Sequence, residues 1–555
     1  MARTPLLRSL LQLAKAQRIA AANGISINAL HEKRMRADEA RGSLSRRAFL
    51  LGGAASAATL TLGCPNTQNG EVKPPTVNGP KPKIAIVGAG IAGLAAGLEL
   101  MDAGYPFTIY EASGRTGGRM FSNKGYFDED QVFEWYGELI DTPHEVMWQL
   151  AKRFNLEIDD LVAAQPAGAL ETYHFFGKHY SHEEAQKDVL AVKDVFLQDV
   201  KLTGGDTLYN ENNDYGKMLD NMSVYDWIEK KIPGGHKSPL GMLLDTAYYI
   251  ELNVDTREQS ALNIVYAFGS QPHWEKYDMY GISDEKWKTK GGNQKFTDAM
   301  AAALPPDSIK TSKRMESIVK RPSGDYEMTF TRASGTEVVV ADYVILTLPF
   351  AVLRDLDYKK AGFDDLKHKT IQELGRGRQS KQHLQFKKRI WYEPGSRPVK
   401  GTGTSYSDTG YQVSWECTRA QKGTSGILVA YCTGGYADKM STKVPVATHK
   451  NEDVQADAKR FLEQAEPVFP GLKENWNGKC AQGIPHLDPS YKCSYSNWRV
   501  GQYQSIRGYE RTSQAGVLFA GEHTSTEYQG FMEGGAAEGQ RAAKDLLALI
   551  RGKSG

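Results

Sequence analysis

From residue 83 onward the chain alternates short apolar runs with polar turns. Lys83-Ile-Ala-Ile-Val87 has the dense, β-branched character of a buried strand. Leu94-Ala-Ala-Gly-Leu-Glu-Leu-Met-Asp-Ala103 places apolar residues at helical spacing and stops at Gly104. Phe107-Thr-Ile-Tyr110 reads as a second strand and ends at Glu111. The predicted order is strand, glycine turn, helix, strand, acid. Upstream, the small-residue run Ala48–Leu62 is fifteen residues long, too short and too weakly apolar for a stable membrane span. Residues 64–82 carry five prolines among Asn, Gly and Thr and predict an unstructured, flexible linker.

The turn Gly88-Ala-Gly90-Ile-Ala-Gly93 gives this unit its chemistry. Gly88 permits a tight turn, Gly90 lets backbone approach a pyrophosphate, and Gly93 lets helix and strand pack closely. The helix N-terminus offers unpaired N–H groups and a positive dipole end to phosphate. Glu111, 23 residues after Gly88, stands where it can accept hydrogen bonds from an adenosine ribose. Arg115, Gly117, Gly118 and Arg119 follow without a gap. Two arginines around a glycine pair suit a second phosphate approached by backbone. With strands and acid in place, the segment is a dinucleotide site.

Composition and charge narrow the partners. Over 555 residues, 24% charged and 40% apolar positions describe an ordinary globular protein of several domains. The formal charge is +2, but ten basic and three acidic groups lie in residues 1–63, which leaves −5 for the remainder. Nucleic acid is thereby excluded as the main partner, because phosphate binding needs a basic surface. Five cysteines form no CxxC pair and no zinc spacing, so no metal site and no disulfide scaffold is expected. Arg46-Arg47 ahead of the Ala48–Leu62 run resembles a twin-arginine export signal, which implies the export machinery as a partner and a periplasmic or extracellular destination. Thr61-Leu-Gly-Cys64 loosely resembles a lipoprotein cleavage site, and cleavage after the alanine-rich stretch is the alternative to a lipid anchor at Cys64.

The segment Glu111-Ala-Ser-Gly-Arg115-Thr-Gly117-Gly118-Arg119 resembles the flavin-containing amine oxidase family, whose members carry ExxxRxGGR after the second strand. Later segments fit the same family: Lys290-Gly-Gly-Asn-Gln294, Met315-Glu-Ser-Ile318, Ala341–Pro349, Leu518-Phe-Ala-Gly521-Glu522-His-Thr and Gly530-Phe531-Met532-Glu-Gly-Gly-Ala536. The resemblance implies FAD, with Met315 at the adenine, Gly521 and Glu522 at the ribityl-pyrophosphate region, and Phe531 and Met532 at the isoalloxazine. It also implies an α/β fold: a discontinuous Rossmann-like FAD-binding domain (83–146, 284–356 and 481–552) and an α+β substrate-binding domain (147–283 and 357–480) with a helical insertion. Residues 1–63 would be the N-terminal extension and signal.

The same resemblance suggests where the reaction takes place. Lys381, in Lys381-Gln-His-Leu-Gln-Phe386 followed by Trp391, stands at the lysine that holds a water against flavin N5 in relatives. Tyr495 and Phe531 stand at the two walls of an aromatic cage around the substrate amine, with Trp498 nearby. Ser494 occupies the position that carries a flavin-linked cysteine in some members, so non-covalent FAD is expected. In Phe133-Glu-Trp-Tyr136-Gly137-Glu138-Leu-Ile-Asp141, Tyr136 replaces a family glycine, and Glu138 and Asp141 are candidate pocket acids. The implied reaction is oxidative deamination of an amine with O2, giving an imine or oxo product, ammonia and hydrogen peroxide. The substrate class leans to an L-amino acid, for which Arg376, Arg378, Arg499 and Arg507 are candidate carboxylate partners. Polyamines and monoamines are the alternative. A related flavin desaturase or a non-catalytic flavoprotein is the further alternative, and the oligomeric state stays open.

Overall fold

The computed structural model describes residues 81–394 and 399–553. The twin-arginine segment, the proline-rich linker and Cys64 lie outside them.

Short apolar runs become one parallel sheet. Its order is Val517–Phe519, Tyr343–Leu346, Ile84–Val87, Thr108–Tyr110, Ile309–Lys310, with Ile84 paired to Tyr343 and Ala85 to Thr108. These five strands come from three stretches of the chain, residues 84–110, 309–346 and 517–519, so the sheet is assembled from distant segments. The helix Ile91–Asp102 crosses between the first two parallel strands, and nine of its twelve residues are buried. It is apolar nearly all round because it is covered on one side by the sheet and on the other by the C-terminal helix Met532–Lys553. That second contact is close: a Cβ at Gly539 would lie 2.1 Å from the Ala92 carbonyl oxygen. Beside the sheet, an antiparallel sheet of Arg314–Lys320, Tyr326–Arg332 and Gly335–Ala341 carries a bulge between Met315 and Ser317.

An eight-stranded mixed sheet forms the second layer. Its order is Val446–Thr448, Trp476–Gly483, Gln379–Phe386, Gly426–Thr433, Val413–Glu416, Gly401–Ser407, Leu170–Phe175, Lys178–Tyr180. Neighbours are antiparallel except Gly401–Ser407 with Leu170–Phe175. Gln379–Phe386 is buried along its whole length although most of its side chains are polar. Burial is tolerated where those groups are paired. Gln382 Nε2 donates to Val454 O at 3.0 Å, Gln385 Nε2 to Gln131 Oε1 at 2.9 Å, and Ser380 Oγ accepts from Gln482 Nε2 at 2.8 Å.

The helical segment between residues 182 and 268 is punctuated by caps that the sequence supplies. Ser181 and Glu184 form a capping box on His182–Thr203. Asn213, Ser223 and Ser238 cap Asp214–Asp220, Val224–Lys231 and Pro239–Leu252. The last of these ends at Asn253, whose φ of 54° turns the chain in the left-handed region. This turn leaves Glu251 at the helix end facing the cavity described next. Among the described residues no helix is long and apolar enough to cross a membrane.

Candidate active site

One cavity of about 730 Å³ runs from the glycine turn of the parallel sheet to the inner face of the mixed sheet. At its first end lies the N-terminus of the helix Ile91–Asp102, at Gly90–Ile91; the start of the C-terminal helix, at Met532, also lines the cavity. Gly93 is held by packing: a Cβ there would lie 1.9 Å from the Gly88 carbonyl oxygen. Gly90 is different, because its Cβ would meet nothing nearer than Gly118 Cα at 3.9 Å, so its bare backbone is open to a ligand. Gly117 N donates to Ala89 O at 2.8 Å and draws the second glycine pair against the first. Glu111 lines the cavity and accepts from Ala89 N at 2.7 Å and from Ser113 N and Oγ at 2.8 Å. Met315, beside the bulge, lines the same end.

Two arginines of the glycine segment part company. Arg119 lines the cavity, pairs with Glu522 at 3.0 Å and donates to Ser494 O at 2.6 Å. Glu522 also accepts from Ser496 Oγ at 2.7 Å and Gly530 N at 3.0 Å. Burial works to raise the Glu522 carboxyl, but Arg119 and these hydrogen bonds outweigh it and hold it below its ordinary value. Arg115 does not line the cavity. It donates to Gly118 O at 2.7 Å and Tyr491 Oη at 2.8 Å and stacks over Phe121 at 3.9 Å, which fixes the loop.

At the centre, Lys381 projects from the buried strand. Its Nζ donates to Tyr136 O at 3.0 Å and to Glu138 Oε2 at 2.5 Å. Lys288 Nζ meets the other oxygen of Glu138 at 3.0 Å and Cys417 O at 3.2 Å. Burial acts to raise Glu138, yet Lys288 and Lys381 overcome it and hold the carboxyl well below its usual range. Asn293, next to the Gly-Gly turn, clamps this segment by donating to Glu138 O at 2.6 Å and lying 3.8 Å from Met532 Sδ.

The far end is aromatic and acidic. Tyr495, Phe531, Tyr431, Tyr173, Tyr280 and Tyr406 line it with Glu171, Glu251 and Glu285. Tyr495 Oη donates to Glu251 O at 2.6 Å, and its ring sits against Gly530. Phe531 packs edge-on against His144 at 5.3 Å. Burial first, then the charge of Asp141, pushes Glu251 up to about 7. Burial and the neighbouring acids push Glu285 well above its ordinary value.

Two expected pocket residues lie elsewhere. Asp141 is buried but does not line the cavity. Its carboxylate accepts from Ser283 Oγ at 2.6 Å and Glu285 N at 2.9 Å, so it shapes the loop that presents Glu285. Trp498 packs against Tyr503 at 5.5 Å, outside the cavity lining, because its strand-end carbonyl is tied to Asn263 at 2.8 Å. None of Arg376, Arg378, Arg499 and Arg507 lines the cavity. Arg378, Arg499 and Arg507 pair with Asp438, Glu258 and Asp206 at 3.0, 3.1 and 3.3 Å. Arg419 lines it instead. Sequence reasoning passed over Lys288, Glu251, Glu285 and Arg419, and met Asn293 only as part of the Gly-Gly motif. Among the four passed over, only Glu251 left a trace, as a lone acid inside the apolar helical run Ala247-Tyr-Tyr-Ile-Glu-Leu252. Among the described residues no group of His, Cys, Asp or Glu is placed to hold a metal, and Cys417, Cys432, Cys480 and Cys493 are free and buried.

A glycine-turn nucleotide cradle that opens into an aromatic, lysine-bearing cavity defines an oxidoreductase built to place a flavin against a small organic substrate. The donor set fits that group: open backbone at Gly90, the helix N-terminus at Gly90–Ile91 for phosphate, and the paired Arg119 and Glu522 on the cavity wall. The chain belongs to the flavin containing amine oxidoreductase family, whose model matches residues 91–547. It is similar to polyamine oxidase 1 of Zea mays, with 24% identity covering 85% of this chain and 91% of that protein. It is also similar to the putative L-amino-acid oxidase YobN of Bacillus subtilis, with 22% identity covering 84% and 95%. The structure of cyclohexylamine oxidase from Brevibacterium oxydans superimposes with a TM-score of 0.71 at 18% identity, covering 85% of this chain and 100% of that one. That likeness establishes the shared mixed α/β fold.

Proposed function

We propose that this amine oxidoreductase binds FAD non-covalently and oxidises amines that carry a second positive charge, such as di- and polyamines, with O2 as acceptor and hydrogen peroxide as product. The observation that carries the substrate class is the pair Glu251 and Glu285. Both carboxylates line the cavity with the rings of Tyr495 and Phe531, and neither has a hydrogen-bond partner among the described residues. Half-buried acids that face a cavity without partners are costly to ionise, and an ammonium group entering the cavity relieves that cost.

The flavin supplies a two-electron acceptor for hydride from the amine Cα. The chain's own residues bind, align and dehydrate. Tyr495 and Phe531 present π faces that hold the neutral reacting amine and exclude water. Glu251 and Glu285 hold the distal ammonium, which fixes how far the reacting carbon reaches. Lys381 stands at the cavity wall beside Gly137. No side-chain base is required for hydride departure from a neutral amine, and the imine hydrolyses in water.

A second reading is favoured by Arg419, which lines the cavity while its Nε is tied to Glu416 O at 3.2 Å. An L-amino acid would use it to hold the α-carboxylate. Anaerobic bleaching of the holoprotein by 1,4-diaminobutane, spermidine, benzylamine and L-leucine separates the readings. Fastest bleaching by the diamine and polyamine supports the first. Preference for L-leucine moves the assignment to Arg419, and flavin that no amine bleaches refutes both. Export by the twin-arginine route completes the proposal; the N-terminus of the mature, exported protein tests it, and retention of residues 1–47 would refute it.

A further inference from the structure

The centre of the cavity holds more positive charge than the expected lysine supplies. We propose that Lys288 is a positioning residue for the flavin site, acting through Glu138 to hold Lys381 in place and to leave net positive charge at that wall. The inference rests on the amine-oxidoreductase reading of the cavity, but not on which amine is the substrate.

Each oxygen of Glu138 is assigned to one lysine. Oε1 meets Lys288 at 3.0 Å, and Oε2 meets Lys381 at 2.5 Å and Trp415 Nε1 at 3.3 Å. The side chains of Lys288, Glu138 and Lys381 are 5%, 3% and 2% exposed, so water screens little of this. Glu138 and Lys381 line the cavity, whereas Lys288 does not. Lys288 reaches Glu138 from behind because it is the central residue of the strand Trp287–Thr289, which is pinned to Ile158–Asp160. Asn293, four residues after Thr289, holds the backbone of Glu138 on the same side.

The arrangement is unfavourable on stability grounds alone. Lys381 and Glu138 would already form a neutral buried pair, and an apolar residue at 288 would avoid burying another cation. The groups facing the cluster do not cancel the excess. Glu134 lies beyond ion-pair distance of Lys288, and its carboxylate is taken up by Ser122 Oγ at 2.6 Å and Asn293 N at 3.0 Å. His383 is held far below its ordinary value by burial and by Lys381, and so is uncharged. With two ammonium groups on one carboxylate, positive charge remains beside Gly137 and Met532, where the flavin ring would lie.

Sulfite is a suitable probe because it needs no amine substrate: it adds to flavin N5 and leaves the ring anionic. In the holoprotein, Lys288→Met should weaken sulfite binding at least tenfold. The two-electron midpoint potential should fall in step, by about 30 mV for each tenfold. Lys288→Arg should restore most of both. Lys288→Gln keeps a hydrogen-bond donor without the charge, and should behave like Lys288→Met; it also serves as the test if Lys288→Met does not retain flavin. Sulfite affinity and potential within twofold and 10 mV of wild type in either neutral variant would reduce Lys288 to a structural residue and overturn the proposal. Loss of amine bleaching in the wild-type protein would instead count against the proposed function, so the two failures are distinguishable.

Discussion

Replacing Glu251 by Gln should improve the fold and damage the function at the same pH. The carboxyl is pushed from 4.5 to about 7 by burial and by Asp141. A carboxyl harder to ionise in the folded state than in the unfolded one costs stability as pH rises from about 4.5 to about 7, and the cost levels off above that. Two and a half units correspond to about 3 kcal/mol at most, and less in practice because the group faces an open cavity. Glu251→Gln removes that cost. Its midpoint of unfolding should therefore exceed wild type at pH 8 and match it near pH 5. Function runs the other way. A hydrogen bond from a distal ammonium to a carboxylate contributes about 1.5–3 kcal/mol, or roughly ten- to a hundredfold in kcat/KM for a diamine. Benzylamine, which lacks the second charge, should lose little. In wild type, kcat/KM for the diamine should rise with pH through about 7 as Glu251 ionises, and the variant should lose that limb. Anaerobic stopped-flow bleaching across pH 5.5–9 measures the kinetics, and thermal unfolding at pH 5 and pH 8 measures the stability. Equal losses for diamine and monoamine, or a destabilised variant at pH 8, would refute the reasoning.

Other consequences follow from the cradle. Gly93→Ala places a methyl 1.9 Å from the Gly88 carbonyl oxygen, so the turn must open, and the purified protein should be colourless or largely free of flavin; full flavin content would count against the predicted clash. Glu522→Gln leaves the half-buried Arg119 without its countercharge. It should destabilise the fold by less than the ~3–5 kcal/mol of a fully buried pair and weaken flavin retention, read by denaturant unfolding and by flavin content after dialysis. Ser494 at the linkage position predicts that acid precipitation leaves all the yellow colour in the supernatant, and a yellow pellet would show a covalent bond.

Much of the nucleotide half was legible from the chain because its signals are local. A strand, its glycine turn, the helix and the acid fall within residues 83–111, and each is diagnosed by its own neighbours. The observed strand Ile84–Val87, helix Ile91–Asp102 and strand Thr108–Tyr110 differ from the expected bounds by a few residues at most. The substrate half was not legible in this way. Gln379–Phe386 has mostly polar side chains, and only the family resemblance marked Lys381 in it; it is a central buried strand because its partners Gln131, Glu138, Val454 and Gln482 come from elsewhere in the chain.

The sequence by itself marked Gly88–Gly93 as a glycine turn between strand and helix, and through the family resemblance it pointed to Arg119, Glu522 and Lys381, all of which line the same cavity. Only the tertiary structure decided what each side chain faces. It turned Arg115 into a loop brace, withdrew Asp141 behind Glu285, and brought Lys288 to a glutamate 150 residues away. The physical reason is that a motif constrains backbone over a few residues, whereas the charge balance of a cavity is set by groups far apart in sequence. Those groups meet only when the two sheets pack together, and their burial and mutual charge then set both pKa and role.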